Sequence, residues 1–301
     1  MTGGSPTTLT VVIGSVESAR SIRDCVSSVV ESCSGLDAEI IVVDASRDPT
    51  AALVRMYFPH VQLIQFPPEA LIPVLWSTGI SRARGSRIAL TTGHCVVKPE
   101  WARDLLDALD TGAAGAGGPI ELREGSSIID RAIYFLRYSA FLPGTVTGTS
   151  RVQEIAGDNA MYTRAALDGH RSSLADGFWE VELHELLREE GQKLLMVQQA
   201  TVMFGASFPL AVISRHRFAH GRRFGAWRVR EKAASPLRVV LAAPLVPFVL
   251  LARVGARVMR HGHHRLDFLV SSVVVLWLAG CWAVGEAAGA MEVGASRANR
   301  G

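Results

Sequence analysis

A chain of 301 residues is long enough to bury one large core or two ordinary ones. With 49% hydrophobic and 20% charged residues, and a mean hydropathy of +0.23, it is too apolar for an ordinary soluble enzyme, so a membrane segment is sought first. The net charge of +3 conceals a +11 stretch between Arg215 and Arg265, where twelve Lys/Arg meet the single acid Glu231 and leave −8 elsewhere; apolar flanks and the lack of a nucleic-acid-binding motif exclude nucleic acid and favour membrane lipid.

The N-terminal MTGGSPTTLT has neither a basic n-region nor a long apolar stretch, so no signal peptide is expected. Short apolar runs follow at 9–14, 39–44, 61–66 and 87–92, with a weaker fifth at 112–120. Helix-period segments separate them at 18–33, 49–57, 69–83 and 99–110. Continuous Val/Ile/Leu runs alternating with helices predict an α/β fold with a mostly parallel sheet covered on both faces. Such sheets bind ligands at the carboxyl ends of their strands, where Asp44 and the turn Thr91–Cys95 fall. Taken alone, Asp44 also suits a helix cap or a turn.

A helix is predicted at 127–138, and the Gly/Thr/Pro-rich FLPGTVTGTSR after it reads as a surface loop. A strong helix follows in FWEVELHELLREEG, with Gly191 as its C-terminal stop. After LLMVQQATVMF (194–204) comes the basic RHRFAHGRRFGAWRVREK (215–232). Two apolar segments close the chain. The first, 239–252, is short for a membrane span and carries Pro244 and Pro247; the second, 268–285, has 18 uncharged residues and is the better candidate. Arg253, Arg257, Arg260 and Arg265 lie between them. The expected division is therefore 1–232 as the α/β domain and 233–301 as a hydrophobic anchor with a basic loop. The four cysteines, Cys25, Cys33, Cys95 and Cys281, have no disulfide or zinc spacing, as fits a reducing cytoplasmic setting. The run His261-Gly262-His263-His264 reads as a solvated turn between the two segments.

Several blocks, in order, resemble the family 2 glycosyltransferases, whose nucleotide-sugar-binding domain has the GT-A fold. LTVVIGSVESARSIRDCVSSVV resembles the opening strand, loop and helix, with Gly14-Ser15-Val16-Glu17 where the family shows Pro-Thr-Tyr-Asn. EIIVVDASRDPT matches the strand-end pattern VVDxSxDxT, in which the first acid holds the nucleotide; here that is Asp44, and Asp48 is the expected helix cap. In STGISRARGSRIALTTGHCVVKPEW, residues Ala83, Gly85, Ile88, Pro99 and Trp101 fall where the family has them. Thr92-Gly93-His94 replaces the Asp-x-Asp turn, so both metal-binding acids are gone. EIAGDNAMYTRAAL resembles the strand and turn beneath the acceptor. In DGFWEVELHELLREEG the helix-opening acid that serves as general base aligns with Glu180. HGRRFGAW takes the place of the Q-x-x-R-W segment of lipid-directed relatives.

The resemblance implies inverting transfer of a sugar from a nucleotide-sugar to a hydroxyl or phosphate acceptor, lipid-linked or glycan, at the cytoplasmic face of the inner or plasma membrane. It implies Glu180 as the base. Ser15, Glu17, Asp44, Thr92, His94, Arg222 and Arg223 would bind the donor, and Asp158, Asn159, Trp179 and Trp227 the acceptor. A divalent cation, Mn²⁺ or Mg²⁺, would meet the protein at His94. Competing readings are a structural role for His94 and interfacial anchoring for Arg222, Arg223 and Trp227. The alternative function is a catalytically inactive, membrane-bound nucleotide-sugar-binding protein that has lost the metal-binding acids. A nucleotidyltransferase would need a Gly-rich, Arg/Lys-containing loop after the first strand, which Gly14-Ser15-Val16-Glu17 does not supply.

Overall fold

The computed structural model describes residues 8–68, 70–206 and 208–298. Residues 1–7, where no signal peptide is expected, lie outside the described residues. The chain forms two compact units that are interleaved in sequence: the residues to Glu124 with Phe141–Ala206, and Gly125–Ala140 with the residues beyond Ala206.

The first unit opens with β1 (Leu9–Ser15), α1 (Ile22–Ser32), β2 (Ala38–Asp44), α2 (Thr50–Tyr57), β3 (Gln62–Gln65), α3 (Ile72–Arg82) and β4 (Arg87–Thr92). Next come β5 (Cys95–Val97), α4 (Trp101–Asp110), β6 (Gly115–Gly117) and β7 (Ile120–Leu122). After α5 (Ile128–Tyr138), which belongs to the second unit, follow β8 (Thr149–Val152), a 3₁₀ turn at Gly157–Asn159, β9 (Ala160–Thr163) and α6 (Arg164–Asp168). The unit ends with α7 (Glu180–Glu189), β10 (Leu194–Val197) and β11 (Val202–Phe204).

Eight strands form the main sheet in the order β3-β2-β1-β4-β9-β6-β10-β8, and β5-β11-β7 form a small second sheet. The expected apolar runs became β1 to β4, all parallel, because runs buried on both faces pair best under a helical cover. Two short strands depart from that pattern: β9 lies antiparallel between β4 and β6, and β8 lies antiparallel to β10. Strand order reverses at β1, with β2 on one side and β4 on the other, so a switch-point crevice lies at the ends of β1 and β4. Beneath it Val12, Ile41, Val43, Leu75, Trp76, Leu90, Tyr162, Phe178 and Leu183 form one core. Full burial contributes roughly 1.5–3 kcal/mol for each large apolar side chain. Gly191, in the left-handed region at φ 73°, follows the end of α7 as its expected stop.

The second unit is helical. A reciprocal cap, in which Ser127 and Asp130 each accept from the other's backbone N–H, starts α5. The basic 215–232 segment lies within α8 (Leu210–Arg230) and its end, and the first apolar segment is broken into α9 (Pro236–Ala242) and α10 (Val246–His261). These two helices meet at 66°, with Pro244 in the break and Pro247 in the first turn of α10. The second apolar segment lies inside a longer helix, α11 (Arg265–Ala298). Within α11, Arg265–Ser296 is long and apolar enough to cross a membrane, its best window having a hydropathy of 2.1, and the bent pair α9–α10 passes the same test only if counted as one span or a re-entrant loop. Within the second unit, which takes up the chain after Ala206, α5 and α8 pack with α11.

Helices α8 and α11 touch backbone to backbone. Gly221 and Gly225 of α8 lie against the carbonyls of Trp282 and Glu286, and Gly285 and Gly289 of α11 against those of Phe218 and Arg222. Each pair is spaced Gly-x-x-x-Gly, which clears one face of side chains so that the backbones can approach. Buried Glu286 meets Arg228 at this seam, and Arg222 meets Glu292 at 2.9 Å.

Candidate functional site

Asp44 ends β2 and is 2% exposed. Its carboxylate accepts a hydrogen bond from the Ser46 hydroxyl at 2.6 Å, and that hydroxyl accepts from the Glu17 backbone N–H at 2.7 Å. The Glu17 carboxylate in turn accepts from the Arg47 N–H at 2.9 Å, which ties the loop after β1 to the loop after β2. Burial pushes the Asp44 carboxyl above its usual range, and the Ser46 hydroxyl opposes that shift. Ser15 pairs with Asp44 in strand register, and its buried hydroxyl faces the carboxyl without completing a hydrogen bond. Glu17 sits in the left-handed region at φ 49°, a conformation that non-glycine residues adopt where the surrounding structure holds them. Asp48, one residue before the Pro49 that caps α2, accepts from the Thr50 N–H at 3.0 Å and from the Ala19 N–H at 3.0 Å.

The turn after β4 approaches this loop closely. A methyl group on Gly93 would stand 2.7 Å from the Ser18 hydroxyl and 3.1 Å from that of Ser15, so only glycine fits. Thr92 donates to the Asp158 carboxylate at 3.1 Å. His94 is 4% exposed, and its ring points into the protein. Its Nε2 lies 2.9 Å from the Val16 carbonyl and 3.2 Å from the Ser18 hydroxyl, and its Nδ1 lies 3.2 Å from the Ser21 hydroxyl. With both nitrogens engaged, the imidazole braces the first loop. His94, expected at a metal, directs its ring nitrogens at these three groups of the first loop. Both acids of the turn are replaced, and among the described residues no group of three His, Cys, Asp or Glu stands together to hold a metal ion.

Glu180 reaches the same place from the far end of the unit. It begins α7, where the helix dipole favours a carboxylate, and it is half-buried. A methyl group on Gly157 would meet the Glu180 Oε1 at 2.6 Å and the Trp76 ring at 2.8 Å. A continuous series of neighbours therefore runs from Asp44 through Ser15, Gly93, Thr92, Asp158 and Gly157 to Glu180. The negative charge of Glu180 also acts on Tyr162, whose phenol is pushed well above its usual range, chiefly by burial. Trp179, the residue before α7, is half-buried, and its indole N–H donates to the Asp176 carbonyl at 3.4 Å. Glu17, Trp179 and Glu180 are half-buried, while Ser15, Asp44, Thr92, His94 and Asp158 are buried.

Asn159, expected at the acceptor, braces neighbouring segments. It is 0% exposed, accepts from the Trp101 indole at 2.8 Å, and donates to the carbonyls of Pro119 at 2.9 Å and Ala200 at 2.7 Å. Those bonds use three of its four hydrogen-bonding positions. Arg222, Arg223 and Trp227 lie on α8 in the helical unit. Arg222 is paired with Glu292, and the Trp227 ring stacks near Phe224 at 5.5 Å. A separate groove of about 620 Å³, lined by α3 and the segment 164–177, contains none of the expected site residues.

Three residues of this region have no counterpart among the expected ones. Trp76 of α3 is the floor: its indole donates to the Thr91 carbonyl at 2.8 Å, and its ring lies against Gly14, Gly157 and Phe178. The prior signal was a glycine at two of the places that the ring touches, Gly14 and Gly157. Ser18 and Ser46 stand in ordinary loop sequence and act through hydrogen bonds that exist only after folding.

The mixed sheet with its flanking helices matches a GT-A-like domain. The model of glycosyl transferase family 2 matches residues 10–171, more than half of the chain, and Glu180 lies beyond that span. Comparison with curated protein sequences finds no match. The chain belongs to glycosyl transferase family 2.

Proposed function

We propose that the α/β unit binds a nucleotide-sugar at the carboxyl ends of β1, β2 and β4, with Asp44 holding the nucleoside. The observation that carries this reading is the Asp44 carboxylate itself. It is buried at the switch point, raised in pKa by that burial, and held in place by Ser46 and the Glu17 backbone. A carboxylate in this setting accepts hydrogen bonds from base or ribose in a fixed geometry.

Of the two outcomes that such binding permits, the geometry favours binding without metal-assisted transfer. The turn that would carry paired acids holds Thr92, Gly93 and His94, and the ring of His94 is committed to the loop after β1. The second reading is inverting transfer, supported by the placement of Glu180 at the mouth of the same region. There the Glu180 carboxylate takes the acceptor's hydroxyl proton as its oxygen bonds to the anomeric carbon, and the bond to the nucleoside diphosphate breaks on the opposite side. The acceptor in that reading is lipid-linked or glycan, and α11 and the basic segment attach the protein to a membrane with the α/β unit on the cytoplasmic side.

A thermal-shift screen with UDP- and GDP-sugars, followed by donor-turnover assays with and without Mn²⁺ or Mg²⁺, tests both readings. At a hundred times Kd a ligand adds about 2.7 kcal/mol of stability. Asp44→Asn is expected to abolish that shift, while Glu180→Gln retains it. Turnover in wild type that is lost in Glu180→Gln establishes the transfer reading; a shift with no turnover across the donor panel establishes binding alone. No shift with any nucleotide overturns both.

A further inference from the structure

Helix α11 has two unlike sides. Leu266, Val270, Val273, Trp277, Val284 and Met291 are exposed, and at roughly 100° per residue they fall within an arc of about 60° that runs the length of the helix. Protein covers the opposite side. Near the start of α11, Phe135 of α5 packs on Phe268 at 5.4 Å and Arg131 meets Asp267 at 3.0 Å. Further along, α8 runs beside it. The Trp277 indole donates to the Ser214 hydroxyl at 2.9 Å, Gly225 lies against the Glu286 carbonyl, and Arg222 meets Glu292 at 2.9 Å. Lipid surrounding this part of α11 would also surround α8, whose Arg215 and Arg222 are exposed. Lipid around its first turns would meet the Arg131–Asp267 pair. Charges in hydrocarbon are costly, so a helix flanked this way along its length is poorly suited to crossing a bilayer. Lying on its side, it needs only its apolar stripe in lipid.

The bent pair α9–α10 has the same character. Its helices have 7 and 16 residues, each short for a span, and they expose Leu237, Leu241, Leu245 and Phe248 at about one-turn spacing. From Ala233 to Arg265 the chain has five arginines and no acid, and Arg238, Arg253, Arg260 and Arg265 are exposed. Apolar residues with cations alongside complement acyl chains beneath anionic headgroups, whereas a second apolar protein face would leave the cations without a counterpart. We propose that the helical unit is embedded in one leaflet of an anionic membrane, with α11 lying along the surface, so that both ends of α11 stand on the same side. This placement rests on the membrane attachment proposed above and is independent of whether the α/β unit transfers a sugar.

The test uses the full chain in inverted membrane vesicles, with a cysteine introduced at one exposed end of α11 or the other, as His263→Cys or Ser296→Cys, in a Cys281→Ser background. A membrane-impermeant maleimide is applied before and after detergent, and the detergent value defines full labelling. Both positions are expected to label alike without detergent. Labelling of one position with protection of the other would mean that α11 crosses, and would overturn the inference while leaving membrane attachment intact. Purified protein is then floated with vesicles of phosphatidylcholine, with and without phosphatidylglycerol. The anionic lipid is expected to tighten binding about tenfold. Leu245→Asp and Val273→Asp are each expected to weaken it about tenfold, and Ser172→Asp, exposed on the α/β unit, to leave it unchanged. Equal flotation of wild type and both apolar-stripe variants would overturn the inference. A protein that neither floats nor fractionates with membranes would overturn the attachment reading itself. A soluble dimer that Val273→Asp breaks into monomers would assign the stripe to a second copy of the chain, and overturn the leaflet in its favour.

Discussion

At the scale of single residues, His184 shows what an incomplete set of partners costs a buried polar group. It is fully buried on α7, its Nε2 lies 2.8 Å from the Tyr162 hydroxyl, and its Nδ1 has no partner. Burial, with Arg188 adding to it, lowers its pKa to about 3. Because the unfolded chain takes up a proton near the ordinary value of 6.5 and the folded chain does not, stability is complete above that pH and falls as the solution is acidified toward pH 3. Between pH 7 and 5 this one group is expected to remove about 2 kcal/mol. Denaturant unfolding followed by the fluorescence of the buried Trp76 and Trp101 at the two pH values measures it. In His184→Gln, which cannot titrate, the loss should shrink by that amount. An unchanged pH slope would show that His184 becomes charged without unfolding.

At the scale of elements, the seam between α8 and α11 is set by four glycines rather than by large side chains. A glycine inside a helix ordinarily costs about 0.5–1 kcal/mol relative to alanine. Here that cost is offset by close backbone contact, so the sign of a substitution depends on its position. Gly289→Leu would drive a side chain into the Arg222 carbonyl and is expected to destabilise the helical unit by about 3 kcal/mol or more, or to separate the two helices. Gly280, on the same helix, has open space where a side chain would go, so Gly280→Ala is expected to raise stability by about 0.5–1 kcal/mol. Unfolding of the two variants in the same detergent decides the matter: shifts of the same sign would contradict the close contact. Helix α7 behaves more simply. Its place follows from its own residues, with an acid at the start and Gly191 at the stop, which is why its bounds were legible in advance.

At the scale of the whole molecule, the polypeptide leaves the α/β unit at Gly125, contributes α5 to the helical unit, and returns at Phe141. Phe135 of α5 packs edge-on against Phe268 of α11 at 5.4 Å, and Tyr134 lies 5.8 Å from the His264 ring. A fragment ending at residue 232, the boundary that hydropathy implies, therefore keeps α5 and α8 but removes the helix that covers both. It is expected to aggregate or to require detergent. Recovery of a soluble, cooperatively unfolding monomer from that fragment would show that the helical unit is dispensable to the rest.

Local pattern alone determined much of this protein. The Val/Ile/Leu runs became β1 to β4, Asp44 fell at a strand end, and the closing apolar segment became a long helix, because hydrophobic periodicity and strand-end chemistry act over a few residues. The strand β8 was not visible, since TSRV carries no apolar alternation to tell it from loop, and β9 was legible as a strand in EIAGDNAMYTRAAL but not as an antiparallel one. Tertiary structure alone decided which polar side chains are used up. His94 and Asn159 carry the right chemistry for ligands, yet their hydrogen-bonding atoms are taken by the carbonyls and hydroxyls of residues distant in sequence. Trp76 became the floor of the site, and Gly221 and Gly225 came to face Gly285 and Gly289, for the same reason: a partner's position depends on how the chain packs, which no short window of sequence contains.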